Sequence, residues 1–190
     1  MAHLIYWTNC SLDGYIEDAS GSFDWTEPSD EVLKYINDLF RPIGTHLYGR
    51  RLYETMLVWE TDPSLAGQSP RMADFADIWQ AAQKIVYSKT LPAVSTRQTH
   101  LERNFAPAAI RRLKETAQQD IFIGGADLAA QAFRAGLVDE CHFFILPVTV
   151  GGGKPALPQA FRLNLELLDV RRFDSGEVHL HYRVSKGSSF

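Results

Sequence analysis

The sequence predicts an α/β fold with a mainly parallel central sheet, helices on both faces and a reversed edge. Three observations carry this. Apolar runs of strand length alternate with segments of helical period along the chain. The stretch 120–155, DIFIGGADLAAQAFRAGLVDECHFFILPVTVGGGKP, contains a strand–Gly-Gly–helix–strand unit. The last apolar runs, 165–173 and 177–184, flank Asp174-Ser175-Gly176 in the manner of an antiparallel hairpin. Alternation of strand and helix gives parallel pairing, and the hairpin reverses the edge.

The elements follow in order. Residues 3–9 are a first strand, buried through Leu4, Ile5, Tyr6 and Trp7. The turn-rich SLDGYIEDASGSFDW wraps the surface, with Asp13-Gly14 as a tight turn. Ser29 or Asp30 caps a helix whose Val32, Leu33, Ile36, Leu39 and Phe40 follow a 3.6 period, and Arg41-Pro42-Ile43-Gly44 ends it. Residues 45–48 are a short strand, after which Gly49 leads through Arg50 and Arg51 into a brief helix ending at Met56. ETDPSLAGQSP at 60–70 reads as loop. Residues 71–83 are helical, 84–88 are a strand, and a weaker strand falls at 99–102. Pro107 opens a helix reaching about Gln118. In the glycine-bearing unit, 121–123 is a buried strand and Leu128, Ala132 and Phe133 mark a helix face. Gly136 closes that helix, and 141–150 is a second strand parallel to the first. A single domain over 1–185 is expected, with 186–190 as a frayed tail.

Composition narrows the function classes. The 190 residues suit one domain and leave little room for two, and 11 Phe, 7 Tyr and 4 Trp supply a core. No apolar stretch approaches the roughly 18 residues of a membrane span, and MAHLIYWTNC reads as a strand rather than a signal peptide. A cytoplasmic location is the expectation. A net charge of −4 argues against nucleic acid as main partner. Cys10 and Cys141 suggest neither a disulfide framework nor a zinc cluster, so no metal ligands are assigned.

In open parallel sheets ligands sit beyond the carboxyl ends of the strands. Asn9 to Asp13, Gly49 to Arg51, Ser88 to Thr90, and Gly124, Gly125, Ala126, Asp127 and Leu128 each follow a predicted strand. The Gly-Gly turn leaves N–H groups free at a helix start, where a phosphate is stabilised. Gly-Gly can equally be only a tight turn, and neither the G-x-G-x-x-G nor the P-loop pattern is present. A nicotinamide dinucleotide would use these loops together. Its pyrophosphate would rest near Gly125 and Ala126, Gly49 would admit a second backbone, and Arg50 or Arg51 would neutralise charge. Ser88, Lys89 and Thr90 would suit the 2′-phosphate of NADP. Taken singly, Arg50 and Arg51 can also be surface arginines, and Ser-Lys-Thr an ordinary turn.

The same residues carry a family resemblance. G-R-R-x-Y-E at 49–54, S-K-T at 88–90, I-G-G-A-D-L-A at 123–129 and A-G-L-V-D-E at 135–140, followed by P-V-x-x-G-G-G, resemble the cofactor motifs of the dihydrofolate reductase-like superfamily. The nearest branch is the carboxyl-terminal reductase domain of bacterial riboflavin biosynthesis. The resemblance runs from S-L-D-G at 11–14 to the closing hairpin. It implies the three-layer dihydrofolate reductase fold, NADPH as hydride donor and a homodimer. Substrate anchors depart from the riboflavin-pathway pattern, since Tyr15 and Ile123 stand where that branch has lysine and glutamate. W-T-E-P-S-D at 25–30 instead resembles the W-x-x-P-x-D/E of true dihydrofolate reductases, although Ala129 replaces their tyrosine.

The expectation is therefore an NADPH-dependent reductase of a pyrimidine- or pterin-like substrate. The nicotinamide is placed near Asn9 and Ile16. Asp30, then Asp13, is the candidate acid; the alternatives are a helix cap for Asp30 and a turn residue for Asp13. Tyr15, Trp25 and Trp59 are candidates to stack on a flat substrate. A non-catalytic NADPH-binding module and a reductase of another small carbonyl or imine are the competing readings.

Overall fold

The computed structural model describes residues 1–185; the tail expected to fray at 186–190 lies outside the described residues. The chain begins with β1 (Leu4–Ser11), a short β2 (Tyr15–Glu17), a 3-10 turn at Asp24–Thr26 and helix α1 (Asp30–Phe40). β3 (Ile43–Gly49) runs directly into α2 (Arg50–Met56), followed by α3 (Val58–Thr61), α4 (Pro63–Ala66) and α5 (Pro70–Ala81). Next come β4 (Gln83–Tyr87), β5 (Thr99–Glu102), α6 (Pro107–Thr116), β6 (Asp120–Gly124) and α7 (Ala126–Arg134). β7 (Glu140–Leu146), β8 (Lys154–Pro155), β9 (Leu165–Arg172) and β10 (Val178–Val184) complete it.

Eight strands form one sheet in the order β5-β4-β3-β6-β1-β7-β10-β9, and β2 pairs with β8 in a separate two-stranded ribbon. β1 pairs in parallel with β6 on one side and β7 on the other. β10 runs antiparallel to both β7 and β9, which supplies the reversed edge. The period-2 alternation of β1 divides the core. Leu4 and Tyr6 face α6 and α7 with Ile110, Leu128, Ala132 and Phe133, whereas Trp7 faces α1 and α5 with Ile36, Phe40, Phe75 and Phe122. Helices thus cover both faces in three layers, each buried large side chain contributing about 1.5–3 kcal/mol.

Local chemistry sets the helix bounds. Ser29 Oγ accepts from Val32 N at 3.3 Å and starts α1. Asn37 on its buried face donates to Arg71 O and Asp74 Oδ2, at 2.9 and 2.8 Å, locking α1 to α5. Lys84, fully buried, donates to Trp79 O at 3.0 Å and Ala82 O at 2.9 Å and so satisfies the carboxyl end of α5.

Several expectations need correction. Residues 60–70 are not all loop, because Asp62 caps Ser64 N at 3.0 Å and Pro63 starts a one-turn helix. The surface stretch after β1 contains β2, which is held by β8. The strand expected over 141–150 ends at Leu146, where Pro147 removes a donor. The helix from Pro107 stops at Thr116.

Candidate active site

The carboxyl ends of β1, β3, β4 and β6 open onto one cleft of about 1190 Å³. Parallel pairing is the cause, since every crossover helix returns the chain so that these ends share one rim. Of the residues singled out in the sequence, Asn9, Ile16, Gly49, Arg50, Arg51, Ser88, Lys89, Gly125, Ala126, Asp127 and Leu128 line it. Thr90 stands behind the rim, accepting from Arg50 Nη1 at 2.9 Å.

The two glycines after β6 have different jobs. Gly125 has φ +89° and is the N-cap of α7, with no side chain capping the free N–H groups. Gly124 is a buried strand residue and does not line the cleft. A Cβ there would meet Leu52 Cδ2 at 2.5 Å and Phe122 Cζ at 2.6 Å, so its smallness serves the packing of α2 on the sheet. Ser88 is likewise corrected in part. It is buried, and its Oγ accepts from Thr90 N at 3.2 Å and Leu91 N at 2.9 Å, which shapes the turn.

Rim charges are mostly pre-paired. Arg50 Nε donates to Glu54 at 2.8 Å, Arg51 pairs with Glu17 at 3.1 Å, and Lys154 pairs with Asp127. Arg103 donates to Ser88 O at 3.1 Å and Leu91 O at 2.6 Å. Among the described residues, Lys89 and Arg103 have no carboxylate partner, so uncompensated positive charge sits beside the end of β4. Away from the rim the cleft becomes an aromatic well, with Trp7, Phe40, Trp59, Phe75 and Phe122 in its walls and Glu27 and Thr26 at its mouth.

Neither predicted acid faces this well. Ser29 takes the N-cap, which makes Asp30 the first helical residue and turns it outward; its side chain is 73% exposed and lies 3.4 Å from Arg71. Asp13 accepts from Gly151 N at 2.8 Å and Val150 N at 3.2 Å and clamps the loop after β7. The Ser11 hydroxyl, then the Gly151 and Val150 N–H groups, hold its carboxyl below the usual range, the wrong direction for a proton donor. Glu17, Glu27, Glu54 and Asp127 are the carboxylates that line the cleft, and of these only Glu27 has no cationic partner among the described residues. Of the proposed stacking residues Trp59 lines it, while Tyr15 and Trp25 do not. Lys154 and Arg103 were also missed; the only sequence signal for Lys154 was the glycine run before it.

A glycine-and-cation rim joined to an aromatic well, at the carboxyl edge of a mainly parallel sheet, defines an α/β protein with a two-compartment ligand cleft. The chain belongs to the RibD C-terminal domain family, which it matches over residues 2–179. It is 29% identical over 180 residues to the uncharacterized protein YyaP of Bacillus subtilis (strain 168), covering 90% of this chain and 89% of that one. A putative riboflavin biosynthesis protein from Shewanella sp. PV-4 shares the fold with a TM-score of 0.76 at 20% identity, covering 98% of this chain and 100% of that chain. A pyrimidine reductase-like protein from Corynebacterium diphtheriae NCTC gives 0.67 at 15% identity, covering 98% and 93%. The riboflavin-biosynthesis branch expected from the motifs is thus borne out, as is the three-layer fold.

Proposed function

We propose that this chain is an NADPH-dependent reductase that delivers hydride to a small heteroaromatic of the pyrimidine or pterin kind. The division of one cleft into a charged rim and an aromatic well is the observation that carries the reading. Its volume of about 1190 Å³ exceeds the roughly 300–1,000 Å³ of a pocket for one drug-sized molecule, which supports two ligands side by side. Bound NADPH supplies the hydride from its nicotinamide ring.

The residues present fit such a cofactor. Asn9 Oδ1 and Trp7 Nε1 are buried and unpartnered in the cleft wall, an acceptor and a donor suited to a carboxamide. The open N–H groups at the start of α7 and the guanidinium of Arg50 would hold the pyrophosphate, and Lys89 with Arg103 the 2′-phosphate. Trp59 and Phe122 would bound a flat ring and exclude water, and Glu27 would relay a proton at the mouth. The descriptions of the Shewanella and Corynebacterium proteins support the substrate class. A homodimer is part of the proposal, supported by Leu167 and Val170, 53% and 55% exposed on the edge strand β9; sedimentation of Leu167→Lys would then show monomer.

The test is NADPH oxidation followed by absorbance against a panel of aminopyrimidines, pterins and simple carbonyls, preceded by a thermal-shift comparison of NADPH with NADH. Turnover with a heteroaromatic and a larger shift for NADPH are expected. Binding without turnover on any member would reduce the protein to a nucleotide-binding module. No shift with either nucleotide would remove the assignment.

A further inference from the structure

We propose that Glu140, His142 and His181 bind one divalent transition-metal ion of the zinc type. They sit at the amino end of β7 and on β10, at the end of the sheet away from the cleft, so this inference does not depend on the reductase reading.

The strands create the cluster. His142 and His181 are direct cross-strand partners with ring centroids 4.0 Å apart. Glu140 lies two residues before His142 on the same face of β7. One potential ligand atom from each of the three lies within 4.8 Å of the others. Glu140 Oε2 is 2.8 Å from His181 Nε2, and its Oε1 is 3.0 Å from His3 Nδ1. Four of the six histidines in the chain, His3, His142, His179 and His181, gather here.

This set has the chemistry a borderline-soft cation selects. Two imidazoles and a carboxylate are a common zinc ligand set, and His3 offers a fourth position. Bonds of about 2.0–2.1 Å in a tetrahedral site place ligand atoms about 3.3 Å apart, so the pairs in contact need open by only a few tenths of an ångström. Orientation is already built in. His142 Nδ1 meets His179 Nε2 at 2.9 Å, and His179 Nδ1 meets the Tyr35 hydroxyl at 3.2 Å. A His142 that donates through Nδ1 along this relay leaves its Nε2 lone pair for the ion. Surrounding charge is compatible. Asp169 is the β9 partner of His181, and Arg183, opposite Glu140, is held by Glu166 at 2.9 Å. His3, with its side chain 53% exposed, gives a route from solvent. The ion would clip β1, β7 and β10 together.

Tag-free, chelator-treated protein titrated with zinc chloride by calorimetry tests the site, with cobalt(II) visible absorption as a second measurement on the same native protein. One ion per chain, a raised midpoint of thermal unfolding and an intense four-coordinate cobalt spectrum are expected. Glu140→Gln and His181→Gln should each weaken binding by tenfold or more, roughly the effect of losing one ligand or its support, and Tyr35→Phe by about tenfold. His100→Gln should change nothing. Absence of zinc uptake by folded native protein would overturn the proposal. So would unchanged uptake in a folded Glu140→Gln/His181→Gln double variant.

Discussion

The Arg50 guanidinium donates to the Thr90 hydroxyl at 2.9 Å, although 40 residues separate them in the chain. Its Nε is held by Glu54 at 2.8 Å. The planar group is therefore oriented across the gap between the ends of β3 and β4 before any ligand arrives, which lowers the ordering cost of binding.

Arg50→Lys keeps the charge and loses the fork. Its dissociation constant for NADPH, read by fluorescence titration, should rise about tenfold, the scale of one charge-assisted hydrogen bond. Lys89→Ala should instead lower the preference for NADPH over NADH by about tenfold while leaving NADH affinity as it was. Equal losses for both nucleotides would place Lys89 on the pyrophosphate.

Glu27→Gln should reduce kcat by about 10²-fold, a typical contribution of a positioned proton carrier, with NADPH affinity unchanged. Asp30→Asn, altering a carboxylate paired with Arg71 outside the cleft, should leave both within about twofold. The opposite ranking would restore Asp30 to the chemistry.

The two glycines should separate cleanly. Gly124→Ala forces a methyl onto Leu52 and Phe122 and should cost about 1–3 kcal/mol in denaturant unfolding. Gly125→Ala has space, Gly49 N and Leu52 Cβ both lying 3.9 Å away, but holds φ +89° with ψ 119°, outside the left-handed helical region, so strain of about 1–3 kcal/mol should appear together with weakened NADPH binding.

Acid should destabilise the protein through His46. Its ring is buried with Nε2 unpartnered, and burial, then the nearby Lys84 charge, push its pKa down to about 3. The unfolded chain protonates near the ordinary 6.5, so between about 6.5 and 3 the unfolded state binds more protons. Stability is fully present above about pH 6.5 and falls as pH drops toward 3, by several kcal/mol in all. His142, depressed by its own burial to about 3, acts in the same direction. Unfolding midpoints at pH 7 and pH 4 should therefore converge in part, and not fully, in His46→Phe.

Much of this arrangement was legible in the sequence. Apolar runs such as Ile121-Phe122-Ile123 announce strands, and whatever follows a parallel strand must fall at the common rim, which brings Asn9, Gly49 and Gly125 together. Orientation was not legible. Whether Ser29 or Asp30 caps α1 decides which way a carboxylate points, and one residue of difference sends Asp30 to Arg71. The wall built by Glu17 and Lys154 rests on strands of three and two residues, too short for a period to register. The histidine cluster joins residues 37 apart across a strand pair, a register that no local pattern encodes.

The placement of β1 has a bearing on biogenesis. Both strands that flank it, β6 and β7, are encoded far downstream, so a nascent chain emerging amino end first carries Leu4–Ser11 with no strand partner until Asp120–Gly124 has left the ribosome, and with only one until Glu140–Leu146 follows. Such long-range closure makes folding slow and leaves LIYWTNCS open to intermolecular pairing in the meantime. Recombinant yield should therefore respond to slower synthesis at low temperature or to added holdase chaperones more than to changes in the cleft.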